Sequence, residues 1–179
     1  ICDKREPLTP DHAARVSQHD RLHPQPRSCM GSSSVRDKPM TTDAEERAWL
    51  IRTDFADDSQ WDAIRAAVEA PVIDFDEEFF AYVQFVIDPN FNDASLERIR
   101  SRLPDTYNFH FLFVVDRVTT SHPDSPILVV DLHENPNSDF RAVPSRIQSI
   151  ENNLSIANMD FDEFAACVDE DGIFRGFPR

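Results

Sequence analysis

A chain of 179 residues with 40% hydrophobic and 28% charged residues fits one globular domain, or one domain with a tail. Of its 18 basic and 33 acidic residues, 7 and 5 lie before Met40, which leaves 11 against 28, a formal charge of −17, on the remainder. No lysine follows Met40, which argues against a phosphate-neutralising nucleic-acid face and an anionic membrane surface as partners and leaves a basic protein partner, a cation or simple solubility open.

Residues 1–39 mix Pro7, Pro10, Pro24, Pro26 and Pro39 with scattered Arg and His, and hold no aromatic residue. Such composition does not bury enough surface to offset the entropy of ordering it. It is expected to be a disordered or non-native N-terminal extension, followed from residue 40 to 179 by a single acidic α/β domain. His12, His19 and His23 with Cys2 and Cys29 match no zinc spacing. Met40-Thr41-Thr42-Asp43-Ala44-Glu45 reads as a natural N-terminus, with Thr42 and Glu45 at capping-box spacing. All 14 Phe, both Trp and both Tyr follow Met40, enough for one core without staples. Cys167 is the one cysteine of that stretch, so no disulfide framework is expected within it. No apolar run approaches membrane length and no signal segment opens the chain, so a cytoplasmic location is expected. A protein beginning at Met40 should therefore melt within a few degrees of the full chain in calorimetry.

Trp49 to Phe55 reads as a first strand. Asp57-Asp58-Ser59-Gln60 supplies N-cap formers, and Trp61, Ile64, Arg65 and Val68 repeat at helical spacing up to Pro71. Residues 72–79 read as an acidic loop, and Phe79 to Ile87 as a strand stopped by Asp88-Pro89. Asn92 and Asp93 open a second helix with Leu96, Ile99, Arg100 and Leu103 on one face. Phe109 to Val115 and Ile127 to Leu132 are near-continuous apolar runs, as expected of strands buried on both faces. The link between them is too short for a parallel crossover, so they should pair antiparallel. Phe140 to Val143 is a further strand, and Ile147 to Ile150 is read as a possible last one. Asp160-Phe161-Asp162-Glu163 has capping-box spacing and opens a final helix closed by Gly172, after which Ile173 to Phe177 packs back. The order is β-α-β-α-β-β-β-α: an α/β (α+β) domain with a mixed sheet of about five strands.

Only Gly172 and Gly176 follow Met40, so neither a Walker loop, a dinucleotide fingerprint nor a glycine-flanked serine elbow exists there. No cofactor and no metal centre is assigned. Apolar strands recur with a terminal aspartate at Asp54, Asp88, Asp116 and Asp131. Four parallel strands would gather these into a hard-cation site, but the antiparallel pair sends Asp116 and Asp131 to opposite ends; turn and cap roles are the alternative. His110, His122 and His133 show no ligand spacing and read as edge or solvated histidines. The run Glu151 to Phe161 interleaves Asn152, Asn153, Asn158 and Asp160 with Leu154, Ile156 and Met159. It is either an ordered loop whose amides satisfy a turn and cap the last helix, or one wall of a polar pocket. The candidate binding residues are Asp54, Asp58, Asn153, Asn158 and Asp160.

Leu50-Ile51-Arg52-Thr53-Asp54-Phe55, Phe111-Leu112-Phe113-Val114-Val115-Asp116 and Asn153-Leu154-Ser155-Ile156-Ala157-Asn158-Met159-Asp160-Phe161 together resemble the family named domain of unknown function 6924. The resemblance spans nearly all of residues 40–177 and implies an actinobacterial or fungal source, which the lysine-poor composition suits. It implies no activity and carries no catalytic residues. Two functions remain. One is a non-catalytic interaction module, immunity- or antitoxin-like, whose closing residues loosely resemble those of SUKH-type immunity domains. The alternative is a carboxylate-based enzyme, with Asp54 and Asp58 acting with Asp160 or Asn158 around a divalent cation.

Overall fold

The computed structural model describes residues 47–74, 76–133 and 139–178. The expected extension and the Thr42–Glu45 capping box lie outside them. In chain order the elements are β1 (Ala48–Arg52), α1 (Asp58–Glu69), β2 (Val72–Asp74), β3 (Glu77–Phe79), β4 (Val83–Val86), α2 (Leu96–Arg100), β5 (Phe111–Val115), α3 (Arg117–Ser121), β6 (Ile127–Asp131), β7 (Phe140–Ala142), α4 (Ile147–Ser155), α5 (Phe161–Ala165) and β8 (Ile173–Phe174). Short 3-10 turns at Pro89–Phe91 and Pro144–Arg146 precede α2 and α4.

Six strands form one mixed sheet in the order β4-β1-β5-β6-β7-β8, and β2 and β3 form a separate two-stranded sheet. β1 runs parallel to both neighbours, with Leu50 opposite Phe85 and Phe113. β5, β6 and β7 are successively antiparallel, and β8 returns parallel to β7. The apolar runs are explained by two-sided burial. Leu50, Phe111, Phe113, Val115 and Val129 face a layer with Trp61 and Ile64 of α1, Ile150 and Leu154 of α4, and Phe164 of α5. Ile51, Leu112, Val114 and Val130 face the other side, under Phe91 and Ile99. Alternate residues of one strand thus enter different cores, as the pleat dictates. Tyr107 bridges the starts of β1 and β5: its hydroxyl accepts from the Trp49 N–H at 3.1 Å and donates to the Phe111 carbonyl at 2.7 Å. Burial pushes that phenol up to about 12.

The mixed α/β sheet, the antiparallel β5–β6 pair, α1 and the final capping box appear as expected: the Asp160 side chain accepts from the backbone of Glu163, whose carboxylate accepts from the Asp160 N–H. Six segments differ, among them the final helix, which ends at Ala165 and not at Gly172. Ile147 to Ile150 opens α4 instead of forming a strand, because Ile147, Ile150, Glu151 and Leu154 bury one helical face. Residues 72–79 form the β2–β3 hairpin, with Val72 opposite Phe79 and Asp74 opposite Glu77. Its turn holds Asp76 at φ 62° where a glycine would have signalled a hairpin. The expected second helix begins later: Asp88 caps the 3-10 turn, and Ser95 caps the short α2. The β5–β6 link contains α3, whose capping box is Asp116 with Thr119. The sixth strand is the tail itself, turned by Gly172 at φ 77°. No described helix is long and apolar enough to cross a membrane.

Candidate binding surface

The parallel arrangement of β4, β1 and β5 places Asp54, Asp88 and Asp116 at one edge of the sheet, their carboxyl ends, and Asp131 at the other. In open α/β sheets such an edge opens a crevice where the strand order reverses. Here β1 leads through α1 to β4 on one side, and the chain then crosses to β5 on the other. A cavity of about 490 Å³ lies at this place, lined by Asp54, Pro89, Asn92, Asp93 and Arg117 among others. The carboxylates around it are engaged. Asp54 is buried and accepts from the Thr120 hydroxyl at 2.5 Å and the Ala56 N–H at 2.9 Å. The Thr120 bond, followed by that of Ala56, holds its carboxyl below the usual range. Asp88 caps the 3-10 turn through the Asn90 N–H. Asp116 caps α3 and grips Arg141 with both oxygens, at 3.1 and 2.6 Å. Asp54 and Asp116 together pin α3 to the sheet.

Arg52 belongs to the same edge. Its side chain is buried, with Nε donating to the Asp54 carbonyl at 2.8 Å and Nη2 to Asp58 at 2.7 Å. The guanidinium lies over the Phe55 and Trp61 rings, 4.5 and 5.4 Å from their centroids. Asp58, at the first position of α1, is exposed and serves as the solvent-side end of this pair.

The remaining candidates sit elsewhere. Asp160 lines a groove of about 810 Å³ at the opposite end of the sheet, with His110, Asp131, His133 and Glu163. The rings of His110 and His133 meet edge-on with centroids 6.2 Å apart. Asn153 and Asn158 finish α4. The Asn153 amide donates to the Ser149 carbonyl at 2.7 Å, and that of Asn158 donates to the Asn153 side chain at 2.6 Å. The left-handed position of this turn falls on Ala157, at φ 52°, rather than on an asparagine. Asp54 and Asp58 are thus brought to one end of β1, Asn153 and Asn158 to the end of α4, and Asp160 to a groove at the far edge; the five do not share a site. Among the described residues no group of three or more His, Cys, Asp or Glu side chains could hold a metal ion.

A surface that sequence reading missed lies at the other side of β1. The β2–β3 hairpin and the segment leading to β4 expose Ile73 and Tyr82 at 62% each, Phe80 at 45% and Phe79 at 38%. Asp74, Asp76, Glu77 and Glu78 are exposed around them. From Ala66 to Glu97 the chain has no Lys, Arg or His. The one legible signal was this acidic run beside consecutive aromatics. Two clefts flank the hairpin. One, of about 370 Å³, runs between Ile73 or Phe79 and Arg146, Gln148 and Asn153. The other, of about 550 Å³, lies along β4 between Phe80 and Ala81 and the α1 residues Arg65 and Glu69. The root of the surface is held by Glu151 of α4. This carboxylate, 5% exposed, accepts from the Tyr82 N–H at 3.2 Å and the Ser155 hydroxyl at 2.9 Å, and burial pushes it up.

A family model described as "Domain of unknown function (DUF6924)" matches residues 47–177, which takes in both the hairpin and the strand edges. No curated protein matches the chain significantly.

Proposed function

We propose that this chain, which belongs to the domain of unknown function 6924 family, is a non-catalytic interaction module that binds a basic protein partner in the cytoplasm, as an immunity or antitoxin protein does. The observation that carries this reading is the hairpin surface. Four large apolar side chains within ten residues of chain, Ile73, Phe79, Phe80 and Tyr82, are exposed on and beside the hairpin. Contiguous exposed apolar surface marks interaction sites, and aromatic residues dominate their energetics. No Lys, Arg or His lies between Ala66 and Glu97 to pair with these acids within the segment itself. Their field favours and accelerates encounter with a basic surface. The strand-end carboxylates, by contrast, are occupied as caps and ion pairs.

The reading is tested by affinity capture from cells of the natural source, with the chain and with an Asp74→Lys/Glu78→Lys variant. Both positions are exposed, so the variant should fold and melt like the parent. The expected result is retention of one or a few basic proteins by the parent and their loss from the variant. Capture of nothing, or of the same proteins by both, would sink the proposal.

A further inference from the structure

We propose that the open edge of β4 pairs with the same edge of a second copy of this chain, so that two sheets join about a two-fold axis. The inference goes beyond the partner reading and does not depend on it. β4 is the outermost strand of the six, bonded to β1 on its inner side. Among the described residues no strand pairs with its outer side.

Protein sheets blunt such edges with charges, prolines or very short strands. The opposite edge follows that rule, since β8 is two residues long. β4 does not: Val83-Gln84-Phe85-Val86 carries no charge and no proline, and Ile87 beyond it is 49% exposed. Phe80, Ala81, Val83 and Phe85 carry this apolar strip into the cleft of about 550 Å³ along the strand.

The charges of that cleft select the occupant. They are Arg47, Arg65 and Glu69, and none of the hairpin acids is among them. A lining of one sign would repel its own copy, whereas this one holds both. Arg65 and Glu69 stand one turn apart on α1, paired at 3.1 Å and each about half exposed. α1 leads the chain back from the end of β1 to the hairpin that precedes β4, so it runs antiparallel to both strands. Glu69 therefore lies nearer the start of β4 than Arg65, which covers the Phe85 ring. A two-fold axis perpendicular to the sheet sets β4 antiparallel to its copy and keeps both α1 helices on one face. The two helices then run antiparallel beside the axis, which brings Arg65 of each copy toward Glu69 of the other. The apolar strip meets itself in the same step. The formal charge of −15 on each chain opposes association at long range. At about 0.15 M salt, charges more than about 8 Å apart are largely screened, which leaves the mixed seam to decide.

The test is sedimentation of the full chain at that salt, up to about 0.5 mM protein, with amide hydrogen exchange followed over the same range. A dimer is expected, and the amides of residues 83–87 should exchange more slowly as it fills. Ile87→Lys sets a charge beside the edge and should weaken the dimer by at least about tenfold. Arg65→Glu should weaken it about tenfold, because both cross-axis pairs become repulsions. Arg65→Glu/Glu69→Arg exchanges the charges within the same symmetry and should restore the dimer to within about threefold. All three positions are at least partly exposed, so the variants should melt like the parent. A monomer at every concentration would overturn the proposal. A dimer that Ile87→Lys leaves intact, with unchanged exchange in β4, would place the contact elsewhere and also overturn it. A loss in Arg65→Glu that the double exchange does not repair would overturn the two-fold pairing.

Discussion

Phe164→Ala should lower the unfolding free energy by about 3–5 kcal/mol, read from urea denaturation midpoints. Phe164 is fully buried, with its ring centroid 5.4 Å from those of Phe174 and Phe177 and 6.3 Å from that of Phe140. It stands on α5, a five-residue helix. So short a helix has no stability of its own and is held by the face it buries. Removing the ring leaves a cavity between α5 and the end of the sheet, and frees β8, whose two residues depend on Phe174 for anchorage. A domain of this size has about 5–15 kcal/mol in total, so the variant should sit near its folding limit. Phe164→Leu, which refills most of the space, should cost clearly less. Equal losses from the two would mean that the aromatic cluster does not close the core there.

The second large effect belongs to Asp116. It caps α3 through the Thr119 N–H at 3.0 Å, and its two oxygens hold the Arg141 guanidinium. Arg141 also donates to the Pro126 carbonyl at 3.0 Å, so the pair fastens β7 to the β5–β6 connection. Asp116→Ala removes a cap and leaves a half-buried guanidinium short of its counter-charge. A loss of about 2–3 kcal/mol is expected, below the range for fully buried pairs because both side chains retain about a quarter of their exposure.

The effect is tied to pH. Burial is the largest influence on the Asp116 carboxyl and raises it. The bonds from Arg141 and Thr119 together outweigh burial and bring it below the ordinary value. A carboxylate so lowered binds fewer protons in the folded than in the unfolded chain near its titration. Its contribution is therefore complete above the unfolded value, near pH 4, and is lost as pH falls through the folded one. The gap between the parent and Asp116→Asn should accordingly be full at pH 7 and shrink as pH falls through the titration of the folded carboxyl, below the unfolded value. Glu151 has the opposite sign. Burial raises it, so its contribution weakens stability as pH rises through its titration. A gap that stays constant from pH 7 to pH 2 would show that the Asp116 charge is not what holds β7.

Much of the fold was readable without coordinates. Phe111 to Val115 and Ile127 to Asp131 announced two-sided burial by their unbroken apolar runs, and the short link between them dictated an antiparallel pair. α1 was marked by its Asp57 cap and the period of Trp61, Ile64 and Val68, and α5 by the Asp160–Glu163 box. These signals are local: a cap spans three residues and a helical face one or two turns. Where local signals conflict or fall silent, reading failed. Two β-branched isoleucines at 147 and 150 suggested a strand, while the helical spacing that includes Glu151 and Leu154 prevailed. The hairpin at 72–79 has no glycine turn to announce it.

The candidate site was less legible. Asp54 and Asp58 meet at the end of β1 through Arg52, whereas Asn153 and Asn158 close α4 and Asp160 faces a groove at the far edge. What the sequence alone determined was the acidity, the element types along most of the chain and the pairing of its two most apolar strands. Only the tertiary structure decided that β4 lies outermost beside β1, and that Ile73, Phe79, Phe80 and Tyr82 are left in solvent. The reason is physical: caps and periodicity are written within a few residues, but which strand becomes an edge, and which apolar side chain goes uncovered, depends on how distant layers compete to cover the sheet.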